Sequence, residues 1–401
     1  INVALVDDLT GRANHELSLK RPPRVQKTFQ YDGAQLTFKV PYGGLIYIQP
    51  LETAQGDVVT FNFNGVLQAS WWKDGKWVNN INADVPLAEI DSGHFIYTTP
   101  VNNVQETDVP KFADELNAFA NHASDFYGRD QVTEDGKHRR FTYDALLANR
   151  HRFVNDVQIS IGAAHSGYPV QSNSYWPTWT VVPTNPTNDW LLWHEVGHNL
   201  ASAPFMVAGS TEVTNNILAL YMQEQREAKP YMDRIASDLS KSPLWLDRFE
   251  GHAWSEADVG MRLAMFGQLK LWAEDHFNID TWYSNQASKP SIFGEDQGWN
   301  FFKLAHRKAR GDSVGDQGIN YCSTQSSQLS QGDLLMACTS YLTQYDLTDY
   351  FRKWNPSETK ANLPNGSVDY SGGLTQAGFN AVAAMKLPKP DKSPSEYLSV
   401  K

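Results

Sequence analysis

The sequence predicts an α+β protein with three parts: an N-terminal antiparallel β-sandwich-like domain over residues 1–105, a mainly helical domain with a small sheet over 106–385, and a C-terminal tail over 386–401. Three observations carry this expectation. Between about residues 30 and 105 apolar side chains alternate with polar ones, at Leu36, Phe38 and Val40 and again at Val59, Phe61 and Phe63, the period of half-buried strands. Turn signals such as Tyr42-Gly43-Gly44 and Lys73-Asp74-Gly75-Lys76 separate them. Farther on, apolar residues recur at three- and four-residue steps, the period of a helix with one buried face.

The helical part opens at Asp108 and Pro110, which suit the cap and first position of a helix. Phe112, Leu116, Phe119, Ala123 and Phe126 form its stripe, and Gly128 ends it. Val157-Gln158-Ile159-Ser160-Ile161 alternates as a strand; an edge strand at 157–163 would hold an extended peptide by adding it to the sheet. A loop at His165–Pro169 and an aromatic loop, Tyr175-Trp176-Pro177-Thr178-Trp179, follow. Val259, Leu263, Phe266, Leu269 and Trp272 mark a long helix, and residues 334–342 and 347–354 mark two more. Lys386-Leu387-Pro388-Lys389-Pro390 reads as a linker or a wrapping segment.

The most informative stretch is Trp193-His194-Glu195-Val196-Gly197-His198-Asn199-Leu200. Histidines four residues apart on a helix share a face, with Cβ atoms roughly 5–6 Å apart. Both imidazoles can then bind one Zn²⁺ at about 2.0–2.1 Å. Glu195 follows the first ligand, where it reaches a metal-bound water as general base. Leu191, Leu192 and Leu200 give the helix an apolar side, and Asp189 is a suitable N-cap.

A catalytic zinc takes three protein ligands and leaves the fourth position for water. A glycine three residues and a histidine six residues past His198 would supply one known pattern, but Ala201 and Pro204 stand there. A glutamate nineteen residues on would supply another, but that residue is Ile217. The nearest downstream acid is Glu212, at the start of a helix marked by Val213, Ile217, Leu220 and Tyr221, with Ser210 as a suitable N-cap. A glutamate in a first turn also suits the helix dipole without any metal. Glu224 and Glu227 are rivals in a polar run that reads as a solvated face. Asn215 and Asn216 share the face of Glu212, where either could hydrogen-bond a ligand from behind.

His-Glu-x-x-His followed by Glu-x-x-Asn resembles the M60-like, enhancin-related peptidases, which are gluzincins. Three further stretches resemble that family: Tyr42–Ile48, Ala164-His165-Ser166-Gly167-Tyr168-Pro169, and Asp346–Trp354. The closest likeness is to the C-terminal catalytic region of large secreted bacterial mucin-degrading proteins of the accessory colonisation factor type. The resemblance implies a gluzincin-type zinc peptidase domain, Zn²⁺ as cofactor on His194, His198 and Glu212, and Glu195 as the catalytic base. It implies a mucin-type O-glycosylated protein as partner, with His165, Gly167 and Tyr168 of the matching loop as candidate contacts; Trp176, in the aromatic loop that follows, is a further candidate from its stacking chemistry.

Composition narrows the alternatives. Lys plus Arg is 34 against Asp plus Glu at 45, a formal charge of −11, which gives no footprint for nucleic acid. No apolar run approaches the roughly 18 residues that span a bilayer. Ile1–Asp8 lacks an initiator Met and a basic region, so it reads as the start of a fragment of a longer exported or cell-surface protein. Cys322 and Cys338, with fifteen residues between them, are a candidate disulfide, whose closed loop would contribute ~3 kcal/mol in the chain-entropy model. Thirteen tryptophans are many for 401 residues; Trp176 and Trp179 suit stacking on sugars, although tryptophan more often packs a core. A glycan-binding adhesion module with a structural or vestigial zinc is the competing reading. Glu195 argues against it, since a structural site gains nothing from a base there.

Overall fold

The computed structural model describes residues 2–6, 24–31, 33, 35–39, 44–48, 58, 60–82, 84–105, 107–132, 136–141, 151–156, 159, 164–173, 190–226, 232–249, 252, 254–316, 318–323, 329–357, 361–362, 368–369 and 373–400. At the start of the chain β1 (Asn2–Val6) lies between β2 (Arg24–Thr28) and β3 (Leu45–Tyr47). Both pairings are antiparallel, with Val6 opposite Arg24 and Asn2 opposite Tyr47.

A larger sheet follows, built from β4 (Ser70–Lys73), β5 (Lys76–Trp77), β6 (Leu87–Asp91), β7 (Phe95–Pro100), β8 (His151–Asp156), β9 (Ala164–His165) and β10 (Val170–Asn173). Its order is β5-β4-β6-β7-β8-β10-β9. Asp74 and Gly75, both at positive φ, make the two-residue turn between β4 and β5 that their sequence calls for. The sheet is mixed: β4–β6, β7–β8 and β8–β10 run parallel and the other pairs antiparallel. Central β7 is buried along nearly its whole length, and Tyr97 stacks on Phe153 at 5.0 Å while meeting Phe112 edge-on.

After α1 (Val101–Gln105) comes α2 (Val109–Phe126), whose stripe of Phe112, Leu116, Phe119, Ala123 and Phe126 is buried throughout. Asp108 caps it by accepting from the Lys111 N–H. The chain divides into two compact units, residues 1–118 with 146–189, and residues 119–145 with 190–401. The division expected after residue 105 falls between β7 and β8, which lie side by side in one sheet; strand pairing ties residues on either side of it together. Leu36, Phe38, Phe61 and Phe63 lie outside the strands of the described residues. Val40, Val59, the 157–163 strand apart from buried Ile159, the aromatic loop with Trp176 and Trp179, and Asp189 fall outside the described residues.

The second unit is helical: α3 (Trp190–Leu200), α4 (Thr211–Arg226), α5 (Ala236–Phe249), α6 (Val259–His276), α7 (Gln297–Ala309), α8 (Gln331–Thr343), α9 (Thr348–Trp354) and α10 (Gln376–Met385), with a small pair β11 (Ala361–Asn362) and β12 (Val368–Asp369). From Leu263 to Ala273 every residue of α6 is buried, so this helix is a core element and not a one-sided stripe. Asp258 and Asp296 cap α6 and α7, and Ser330 with Asp333 forms a capping box on α8. Cys322 and Cys338 are joined by a disulfide.

Residues 386–400 wrap the helices. Trp272 Nε1 donates to the Lys392 carbonyl at 2.8 Å, the Asp346 N–H to Pro388 at 2.8 Å, and the Tyr397 hydroxyl to Asp275 at 2.8 Å. Among the described residues no helix is long and apolar enough to cross a membrane.

Candidate metal centre

The inward side of α3 carries Leu192, Trp193 and Val196, all buried, which leaves His194 and His198 on a half-buried face. Gly197 sits against α4: a Cβ there would lie 2.4 Å from the Asn215 carbonyl oxygen. Any larger residue would push the two helices apart. This close approach lets side chains from the first turn of α4 reach the histidines of α3.

The loop between them is pinned from a distance. Thr214 Oγ1 donates to the Phe205 carbonyl, Trp254 Nε1 to Ala208, and Arg262 to Gly209. The Ser210 carbonyl receives the N–H groups of Val213 and Thr214, which starts the helix. The Ser210 side chain does not cap α4 as expected; its hydroxyl accepts from the Val207 N–H and tightens the loop. Glu212 departs from helical backbone at φ −95°, ψ 16°, within the first turn.

In this arrangement three donor atoms converge. His194 Nε2 and His198 Nε2 are 3.2 Å apart, and Glu212 Oε2 lies 3.1 Å from the first and 3.3 Å from the second. The imidazole rings are perpendicular. An ion bound tetrahedrally at 2.0–2.1 Å separates its ligand atoms by about 3.3–3.4 Å. The observed triangle is within a few tenths of an ångström of that.

Proton positions sharpen the fit. Asn216 Nδ2 donates to the Glu212 carbonyl, which can only accept, so Asn216 Oδ1 must be the atom facing His194 Nδ1 at 2.8 Å. His194 therefore carries its proton on Nδ1, and its Nε2 presents a lone pair. Asn215 Nδ2, which donates to the His194 carbonyl, also faces His198 Nε2 at 3.0 Å as a donor, so that nitrogen is unprotonated, and an ion bound to it would take the place of this hydrogen bond. Two unprotonated imidazole nitrogens and a carboxylate oxygen this close together repel unless a cation lies among them. Burial pushes the His198 imidazole below its usual range, against the pull of the Glu212 carboxylate, which favours the neutral, metal-binding form.

Glu195 is 6 % exposed, with a carboxylate oxygen within 4.8 Å of donor nitrogens on His194 and His198. It is near enough to compete as a ligand. Glu212 Oε2 is in direct contact with both nitrogens, at 3.1 and 3.3 Å.

His194, Glu195, His198, Glu212, Asn215 and Asn216 are thus brought together. His165, Gly167 and Tyr168 belong to the unit of the larger sheet, at its β9 edge: His165 Nε2 lies 3.1 Å from Gln171 Oε1, and Tyr168 is largely exposed. The rival Glu224 is not on a solvated face. It is half-buried against Lys270 and accepts from Trp299 Nε1, partners 46 and 75 residues away that no local pattern reveals. Trp254 and Arg262, which hold the loop before Glu212, were likewise missed, because nothing near them in sequence points at residue 208 or 209.

The peptidase M60 model, described as enhancin and enhancin-like, matches residues 72–355, and the model of the N-terminal domain of M60-like peptidases matches residues 2–62. The chain is 48 % identical over 406 residues to the putative lipoprotein YghJ of Escherichia coli O78:H11, covering 98 % of this chain and 26 % of that protein. It is 43 % identical over 414 residues to the accessory colonization factor AcfD of Vibrio cholerae serotype O1, covering 100 % of this chain and 27 % of that one. It spans about a quarter of the length of these curated relatives. The solved structure of IMPa from Pseudomonas aeruginosa in complex with an O-glycopeptide shares the fold, with a TM-score of 0.50 and 19 % identity over 79 % of this chain and 38 % of that chain.

Proposed function

The chain belongs to the M60 peptidases, the enhancin and enhancin-like family, and on that premise we propose that it is a zinc-dependent endopeptidase, secreted or on the bacterial surface, that hydrolyses peptide bonds in O-glycosylated, mucin-like proteins. The observation that carries this reading is the convergence of His194, His198 and Glu212 within 3.3 Å of one another, with Glu195 buried beside them. For the substrate, support comes from a fold shared with a metallopeptidase solved with an O-glycopeptide and from relatives named as a lipoprotein and a colonization factor. Substrate contact by His165, Gly167, Tyr168 and Trp176 is part of the same reading.

His194, His198 and Glu212 would hold the zinc, which when bound lowers the pKa of a coordinated water from 15.7 toward about 7 and polarises the scissile carbonyl. Glu195 takes the proton of the attacking water on a carboxylate oxygen. It then delivers that proton to the leaving amine nitrogen, so the base of the first step is the acid of the second. Asn216 keeps the His194 proton on Nδ1, and Asn215 keeps His198 Nε2 unprotonated.

The test is metal content together with cleavage of a mucin-type glycoprotein, for wild type and Glu195→Gln. General acid–base action contributes about 10²–10⁴-fold, so the variant should keep one zinc per chain and lose cleavage by that factor. Normal cleavage by Glu195→Gln sinks its role as base. Zinc in both proteins with cleavage by neither moves the reading to an adhesion module, and absence of zinc from the wild type removes the metal site.

A further inference from the structure

A pocket of about 560 Å³ opens in the helical unit, where Trp282, the loop around Ile319, the end of α8 and the start of the tail meet. Its volume falls within the roughly 300–1,000 Å³ of small-molecule sites. Tyr321 and Tyr341 form one wall, their ring centroids 5.6 Å apart, and Tyr341 meets Trp282 edge-on at 5.2 Å. Met385 supplies an apolar patch, and Gln344 and Thr281 supply polar groups. No charged side chain is among the described residues that line it.

The loop that makes this pocket is unusually well anchored for a surface loop. Cys322 is bonded to Cys338 on α8. Asp316 accepts from the Tyr341 hydroxyl and from Lys308, and Asn320 donates to the Lys308 carbonyl at 2.9 Å. Gly315 lies on the Trp282 ring, where a Cβ would come within 3.0 Å of Cε3. Yet this braced loop presents Ile319 to water, 64 % exposed, at the pocket rim. Fixed walls lower the ordering cost of a ligand, and Ile319 at the rim is placed to cover one face of a molecule lying against Tyr321.

We propose that this pocket binds a neutral sugar, on the same helical unit as the metal centre but apart from it. The chemistry of the wall selects the class. A pyranose is uncharged, with apolar C–H faces that suit Tyr321, Ile319 and Met385. Its hydroxyls need acceptors at the edge. Gln344 Nε2 is engaged with the Tyr341 carbonyl, which turns its amide oxygen outward, and the Thr281 hydroxyl donates to Asn278, which leaves its lone pairs for a sugar O–H. An aliphatic peptide side chain would cover both acceptors without satisfying them. The proposal deepens the peptidase reading and rests on it for the identity of the sugar, since a glycoprotein substrate carries many copies of one O-linked residue.

The experiment is calorimetric or saturation-transfer titration of N-acetylgalactosamine and galactose into the chain stripped of metal, so that no hydrolysis contributes. Saturable binding is expected, weakened at least tenfold by Ile319→Arg, which fills the rim, and also weakened by Gln344→Ala. Both positions are exposed, so the melting temperature should stay within about 1 °C of wild type. Absence of sugar binding, binding unchanged in both variants, or binding of a leucine dipeptide in place of sugar overturns the proposal. The peptidase reading fails in a different assay, the cleavage test on Glu195→Gln, so the two outcomes are separable.

Discussion

Glu212 and Glu224 stand on the same helix, about three turns apart, and each faces groups from a neighbouring helix. Glu212 has a 52 % exposed side chain, and its Oε2 meets two imidazole nitrogens that both present lone pairs. Glu224 is 15 % exposed, accepts from Trp299 Nε1, and lies 3.3 Å from the Lys270 ammonium. One carboxylate therefore has its cation supplied by the fold, and the other is surrounded by acceptors only. The first arrangement is a structural element complete in itself, while the second, on the metallopeptidase reading, is completed by a bound cation. Residue type and helix position do not separate them; the charge state of the facing groups does.

The largest effect that would break this contrast is Glu212→Ala. It should reduce metal affinity by more than the roughly 100-fold lost with an outer partner, while the melting temperature of the metal-free chain barely moves. Equilibrium dialysis against a calibrated chelator measures it, and an Ala variant that keeps zinc at wild-type affinity would return the third ligand to Glu195.

The next effect reads the other end of α4 through pH. Burial pushes the Glu224 carboxyl up to about 7, against the pull of Lys270. Three carboxyls surround one ammonium, since Glu274 also contacts Lys270 and Asp296 lies 2.9 Å from it; Asp296 is held low while the less exposed Glu224 is raised. The unfolded chain ionises Glu224 near 4.5, whereas the folded chain holds the proton to about 7. Stability from this group is complete below pH 4.5 and is lost as pH rises to about 7, by up to about 3 kcal/mol. Glu224→Gln keeps an acceptor for Trp299 and removes the titration. The difference in urea midpoint between wild type and variant should shift in favour of the variant across pH 4.5–7 and then level off. A difference flat in pH would show that Glu224 is ionised throughout.

The same contrast explains what the sequence made legible. His194 and His198 are four residues apart, and a helix alone puts them on one face; Glu212 follows because it is the nearest acid that can begin the next helix. The stripe from Phe112 to Phe126 is buried at every position because helix period is a local property. Partners set by tertiary packing left no local trace. β7 pairs with β8 across some fifty residues, in parallel, and neither alternation nor turn residues report such a pairing. The run from Gln223 to Glu227 looks solvated because its counter-charge, Lys270, sits on another helix; the pinning of residues 208 and 209 by Trp254 and Arg262 is hidden for the same reason.

The smallest effect distinguishes a histidine held by its neighbour from one that merely stands near a metal. Asn216 receives the His194 Nδ1 proton and donates to the Glu212 carbonyl, so a single amide fixes the tautomer of one ligand and the backbone of another. Asn216→Ala removes both bonds and should cost about 10–100-fold in metal affinity, with the chain still folded because the remaining α3–α4 contacts, including Gly197 against Asn215, are untouched. Asn216→Asp offers a stronger acceptor to Nδ1–H but no donor for the Glu212 carbonyl. If tautomer control dominates, Asp restores most of the affinity that Ala loses. If the backbone bond dominates, Asp and Ala lose alike. Wild-type affinity in both variants would mean that the Nε2 lone pair of His194 is set without Asn216.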